Sequence, residues 1–192
     1  GWLCHRMGVP GLKFRVATNR NDILYRFFTT GSYSVLKVEP SLAPSMDIQI
    51  ASNFERYLYY GADGDPKCIR DAMTQLSKDG HLEWKHPGGE RFTATSSSDD
   101  EILRQIRRVY DECGYLVDPH TACGFSGSCE NGLEIVLATA SPAKFPEVMK
   151  TAVGEEPLHP YLEELKAREM VTHPLPAEVD ALRTFIADNL PS

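Results

Sequence analysis

Three polar clusters in the 192-residue sequence combine residue types that bind anions or steer protons: Thr18-Asn19-Arg20-Asn21-Asp22, the stretch from Ser45 to Arg56, and Thr139-Ala140-Ser141. The first and third follow runs that read as strands, KFRVAT and LEIVLA, and each precedes a helical pattern. A helix start leaves backbone amides unpaired and carries partial positive charge, so both turns suit a phosphate or carboxylate. The same Thr, Asn and Ser are also ordinary helix caps, and spacing alone leaves both readings open. The middle cluster sets Ser45, Asp47, Ser52, Asn53 and Arg56 around a helix start. It suits phosphate, and equally a solvated cap with a surface ion pair. His120, after Asp118-Pro119, falls in the first turn of a helix, as a ligand contact or as a packed or capping histidine. Lys144 is the only lysine near the Thr139 turn, but a helix's first turn is a poor place for a Schiff-base amine. No nucleophile elbow, Walker loop or dinucleotide fingerprint is present.

The five cysteines are Cys4, Cys68, Cys113, Cys123 and Cys129. An odd count at irregular spacing argues against a disulfide framework and for a reducing compartment. Cys113, His120, Cys123 and Cys129 lie close in sequence, but there is no C-x-x-C pair and the intervals match no zinc ribbon or finger. No metal is expected, and buried or inert thiols are.

The elements that must position these residues are legible in outline. WLCHRMG reads as a helix end stopped by Gly8 and Pro10, KFRVAT as a strand, and DILYRFF as a helix capped from Asn19–Asn21. Residues 32–51 look irregular. Ser52 and Glu55 form a capping box ahead of FERYLYY, and Ser98 and Glu101 a second one. Asp65-Pro66 and Asp118-Pro119 pair a cap with an N1 proline. Segment 81–97 predicts an exposed excursion, a hairpin turning at Pro87-Gly88-Gly89 or a mobile loop. LEIVLA is a continuous apolar run of the kind buried in parallel sheets. It leads into a helix capped by Ser141 with Pro142 at its first position, and two more helical stretches close the chain. Two strand–turn–helix units, 14–28 and 133–152, set among helices, predict an α/β chain with an incomplete open parallel sheet flanked by helices. Two strands do not make a stable sheet alone. Either strands are missed here, or the rest of the sheet lies outside this sequence.

Composition bounds the function. With 27 acidic against 20 basic residues the net charge is -7, which argues against a nucleic-acid groove. No apolar run approaches the ~18–20 residues of a membrane-spanning helix, so no membrane association is expected. The chain opens on Gly1 with no charged segment leading into an apolar one. That suggests a fragment or a processed product.

Taken in order, ATNRNDIL, PSMDIQIASNFERYLYY, DPHTA, LATASPAKF and THPLPAEVDALRTFI resemble the C-terminal half of threonine synthases. These are pyridoxal phosphate (PLP) enzymes of the fold type II, tryptophan synthase β-like class. The resemblance spans nearly the whole chain except the loop near 81–97. It implies conversion of O-phospho-homoserine and water to threonine and phosphate. It implies, too, that 1–60 belongs to the large PLP-binding domain, 61–132 is a helical segment, and 133–192 supplies a closing strand and C-terminal helices of that domain. Thr139 matches the family threonine whose hydroxyl faces the pyridine nitrogen of PLP. Asn19, Asn21 and Asp22 match a motif lining the same cleft. Ser45, Asp47, Asn53 and Arg56 match the PSMDI and SNFER motifs on the substrate or phosphate side. Ser141 stands where the family usually has the histidine of TAHPAKF, and a serine there still caps a helix. Gly1 matches the last glycine of a GNFG-type phosphate loop. By the same resemblance, that loop and the lysine that tethers PLP lie upstream. The 192-residue chain alone is therefore expected to be inactive and marginally stable, in the cytoplasm, or in a plastid if a transit peptide has been lost. Two alternatives stay open: a threonine-synthase-like phospholyase, and a non-catalytic α/β binding module.

Overall fold

In chain order the elements are α1 (Trp2–Arg6), β1 (Phe14–Thr18), α2 (Ile23–Thr30), β2 (Ser32–Ser34), a 3-10 turn (Pro44–Met46), α3 (Phe54–Gly61), α4 (Pro66–Asp79) and β3 (His81–Glu83). β4 (Phe92–Ser96), α5 (Asp99–Cys113), α6 (Pro119–Cys123), a second 3-10 turn (Pro142–Lys144), α7 (Pro146–Val153), α8 (Pro160–Lys166) and α9 (Val179–Asn189) follow. They are seen in a computed structural model that describes residues 1–85, 91–127 and 132–190. The chain forms one compact unit, Gly1–Pro157, and a second from Leu158 onward that carries α8 and α9. In the second unit the His173 and Phe185 rings meet at 5.1 Å.

The first unit is built on two strand-to-helix steps. β1 and β4 pair in parallel, Phe14 opposite Phe92 through Thr18 opposite Ser96. α2 follows β1, and α5 follows β4 through Ser98. The Ser98 hydroxyl accepts from the Glu101 amide, and the Glu101 carboxylate accepts from the Ser98 amide. That reciprocal cap satisfies two otherwise orphaned donors. α4 ends on Gly80 at φ +65°, where the left-handed conformation suits glycine.

Two apolar clusters cover the strands. One joins Phe27 of α2, Tyr33 of β2, Phe54 and Leu58 of α3, Leu76 of α4 and Leu82 of β3. Within it Tyr33 stacks on Phe54 at 4.1 Å, and its hydroxyl oxygen accepts from the Ala51 amide at 2.9 Å. The amide contact gives the polar end of a buried ring its partner. The other cluster joins Ile102, Ile106 and Val109 of α5, Ala122 and Cys123 of α6, and Met149 and Ala152 of α7.

Several expectations change. Residues 81–97 are no hairpin: β3 pairs antiparallel with β2, whereas β4 pairs with β1. The turn expected at 87–89 lies outside the described residues. The second strand-to-helix unit is 92–113, not 133–152. LEIVLA forms no strand and has no ladder partner among the described residues, and Leu133, Ile135 and Leu137 are 88%, 76% and 75% exposed. Its composition is that of a strand covered on both faces, yet it pairs with neither β1 nor β4. The helix expected from Ser141 divides. Ser141 caps only a 3-10 turn, and Pro146, which has no N–H to donate, starts α7 afresh. Ser52 makes no box, for α3 begins after Asn53 without a side-chain cap. α2 likewise starts uncapped after Asp22, because Asn19 and Asn21 turn elsewhere.

Candidate functional site

Parallel pairing brings the carboxyl ends of β1 and β4 side by side, the place where open α/β sheets bind ligands. The Ser97 amide donates to the Thr18 carbonyl at 3.0 Å, and the Ser96 hydroxyl donates to the Asn19 carbonyl at 2.9 Å. The chain then leaves β1 through a buried polar knot. Asn19 and Asn21 are 0% and 3% exposed. The Asn19 amide group donates toward Ser41 Oγ (2.7 Å), the Ala43 carbonyl (3.2 Å) and Asp47 Oδ1 (2.6 Å), while its oxygen accepts from the Asn21 amide (2.9 Å). Asn21 donates to the Glu39 carbonyl (2.8 Å) and to Asp47 Oδ1 (3.0 Å), and accepts from the Glu39 amide (2.8 Å). Asp47 also accepts from the Ser41 amide and hydroxyl. Both asparagines therefore use their amides to fold the 39–47 segment against β1.

That segment presents the exposed Ser45, whose amide donates to His120 Nε2 at 3.0 Å. Nε2 thus holds a lone pair, and the ring proton sits on Nδ1, which donates to Asp118 Oδ1 at 2.8 Å. His120 is a packed, hydrogen-bonded residue at the start of α6. Burial pushes the Asp118 carboxyl up. Four donors outweigh it, the side chains and amides of His120 and Thr121, and hold the carboxyl below the usual range. Thr121 gives its hydroxyl proton to Asp118 Oδ2, and its Oγ1 accepts the Thr139 amide at 3.1 Å.

The segment leading to Thr139 is tied down at two of its side chains. Glu134 pairs with Arg15, and Val136 lies against Gly124, where a Cβ would come within 2.7 Å of Val136 Cγ1. Leu133, Ile135, Leu137 and Thr139 are exposed. The Thr139 hydroxyl makes no hydrogen bond among the described residues. A neutral donor and acceptor is thus held at the end of this segment by its backbone and left open by its side chain.

Not every expected site residue joins this group. Asn53 and Arg56 are exposed at the start of α3, with no hydrogen bond or ion pair to the cluster among the described residues. Arg56 instead lines a surface groove with Tyr59, Tyr60 and Pro66. Asp22 pairs with Arg26 at 2.8 Å. Cys123 is buried, which pushes its thiol up to about 11, whereas Cys4 and Cys113 are exposed; Cys129 lies outside the described residues. Among the described residues no helix is long and apolar enough to cross a membrane. The sequence reading missed β4 and the hub at Asp118. The signal for β4 was FTATS immediately before a capping box. Asp118 gave no signal beyond a cap.

Comparison with known proteins gives one answer. Residues 121–186 match the family model described as threonine synthase, C-terminal. A threonine synthase of Pseudomonas aeruginosa is 36% identical, covering 98% of this chain and 43% of its own length. A mouse protein named threonine synthase-like 2 is 31% identical, covering 79% of this chain and 34% of its own. The solved structure of a PLP-bound threonine synthase from Brucella melitensis superimposes with a TM-score of 0.83 at 36% identity, over 98% of this chain and 42% of that one. The chain thus spans less than half the length of these relatives.

Proposed function

Because the chain belongs to the threonine synthase family, we propose that it is the C-terminal part of a PLP-dependent lyase that converts O-phospho-L-homoserine and water into L-threonine and phosphate. The observation that carries this reading is the likeness of 98% of the chain to a PLP-bound threonine synthase.

The residues present suit the cofactor. Thr139 offers an unpartnered hydroxyl on an exposed face, at the end of a segment tied down by Thr121. That hydroxyl would meet the pyridine nitrogen. A neutral group there does not force the nitrogen to be protonated, as an aspartate would. When bound, PLP supplies the electron sink for proton loss and phosphate departure from the substrate. The chain's own residues bind and orient. Arg56 is an exposed guanidinium with a fork suited to a phosphate, and Asn53 and Ser45 are exposed polar groups on the same stretch of chain. Asn19 and Asn21, with their amides engaged internally, contribute by shaping the turn that presents Ser45 rather than by touching substrate.

The test is Thr139→Val in the complete protein. It should shift the absorption of bound PLP and weaken PLP binding about five- to tenfold, the effect of one lost hydrogen bond of ~1 kcal/mol. An unchanged spectrum and affinity would remove Thr139 from the cofactor site. A second reading is a threonine-synthase-like phospholyase that eliminates phosphate but yields a keto acid and ammonia; one relative is named threonine synthase-like 2. Product analysis separates the two.

A further inference from the structure

We propose that Thr121 is a positioning residue for Thr139, and that the Asp118 carboxylate is the hub setting both Thr139 and the Ser45 turn. The inference deepens the placement of Thr139 against PLP and rests on it.

Three features carry it. First, the direction of the contact is determined. A threonine hydroxyl has one proton, and Thr121 gives it to Asp118 Oδ2. What remains toward Thr139 is acceptor capacity, which meets the Thr139 amide at 3.1 Å. Second, little else aims this segment. Residues 133–140 have no strand partner among the described residues, so no ladder sets the register. Their ties there are the Arg15–Glu134 pair, Val136 against Gly124, and Thr121 to Thr139. Only the last is at the residue whose hydroxyl matters. Gly124 has an ordinary helical φ of -66°, so the glycine is required by the close approach of Val136 and not by its backbone. Third, the same carboxylate reaches the opposite wall. His120 donates to Asp118 Oδ1 from Nδ1 and accepts the Ser45 amide on Nε2. One buried anion with four donors therefore orients two segments about 20 and 75 positions away in sequence. Such over-determination is how a supporting shell holds a binding group in place.

The experiment uses the complete protein with three substitutions, Thr121→Val, Thr121→Ser and Thr139→Val. One readout needs no cofactor, hydrogen exchange of the peptide covering 133–140. The other two are PLP affinity and the absorption of bound PLP. Thr121→Val should speed exchange at Thr139 about tenfold and weaken PLP binding about fivefold, with Thr121→Ser returning both to within about twofold of the parent. Val without effect on exchange or affinity, or Ser without rescue, would overturn the positioning role. Thr139→Val keeps the two failures apart. If it leaves PLP spectrum and affinity unchanged, the cofactor placement falls and this inference with it. If it moves them and Thr121→Val does not, only the positioning role falls. Should Thr121→Val not fold, Thr121→Ala carries the same test, since it too removes the hydroxyl that holds the Thr139 amide. Unchanged exchange and PLP affinity in that variant would count against the inference.

Discussion

Asp118 accepts four hydrogen bonds while almost wholly buried, and its ionisation is coupled to stability. Its carboxyl is depressed in the folded state, so its contribution is complete above the unfolded value of ~3.9 and is lost as pH falls through the lower folded value. Asp118→Asn puts a donor where acceptors are needed and should cost about 1–3 kcal/mol near neutral pH. Urea midpoints measured against pH check both sign and size. The gap between parent and variant should stay level down to about pH 5 and narrow below about pH 4. A gap still level at pH 3 would mean the carboxylate is not held in this way.

At the scale of elements, two serines with the same sequence signature behave differently. Ser98 and Glu101 close a reciprocal cap on α5, whereas Ser52 and Glu55 leave α3 to begin after Asn53 with no side-chain cap. The difference is geometric. Ser98 is extended at φ -73°, ψ 165°, which turns its hydroxyl toward the first free amides, while the residue before α3 is already near helical at φ -91°, ψ -3°. Ser98→Ala should therefore destabilise by ~1 kcal/mol and Ser52→Ala by almost nothing. Thermal melts of the two variants decide it, and equal losses would contradict the assignment of the caps.

Across the whole molecule the exposed apolar face of the 133–139 segment dominates. Leu133, Ile135 and Leu137 are exposed on a chain whose parallel sheet has two strands among the described residues. Open edges and contiguous apolar surface favour association. The 192-residue polypeptide should show a molar mass in light scattering that rises with concentration. Replacing Ile135 and Leu137 together by Lys should suppress that rise. A concentration-independent monomer before substitution would show that the face is covered in solution.

What the sequence determined by itself was local and patterned. The helices of 66–79 and 99–113 were legible because cap, apolar stripe and terminal glycine agree within each stretch, and β1 because KFRVAT falls between the glycine turn at Gly11 and the polar residues 19–21. The candidate cofactor residue, Thr139, was legible as a polar tip after an apolar run. Tertiary structure alone decided the pairing of β1 with β4 and the parting of 81–83 from 92–96 into different sheets, because strand partnership joins residues about 80 positions apart and leaves no mark in either strand. It alone decided that Asn19 and Asn21 face inward onto Asp47, and that one carboxylate at Asp118 joins Ser45 to Thr139. A carboxylate before proline reads as a cap in any sequence. Which distant amides its neighbours reach is settled only when the chain brings them within 3 Å or so.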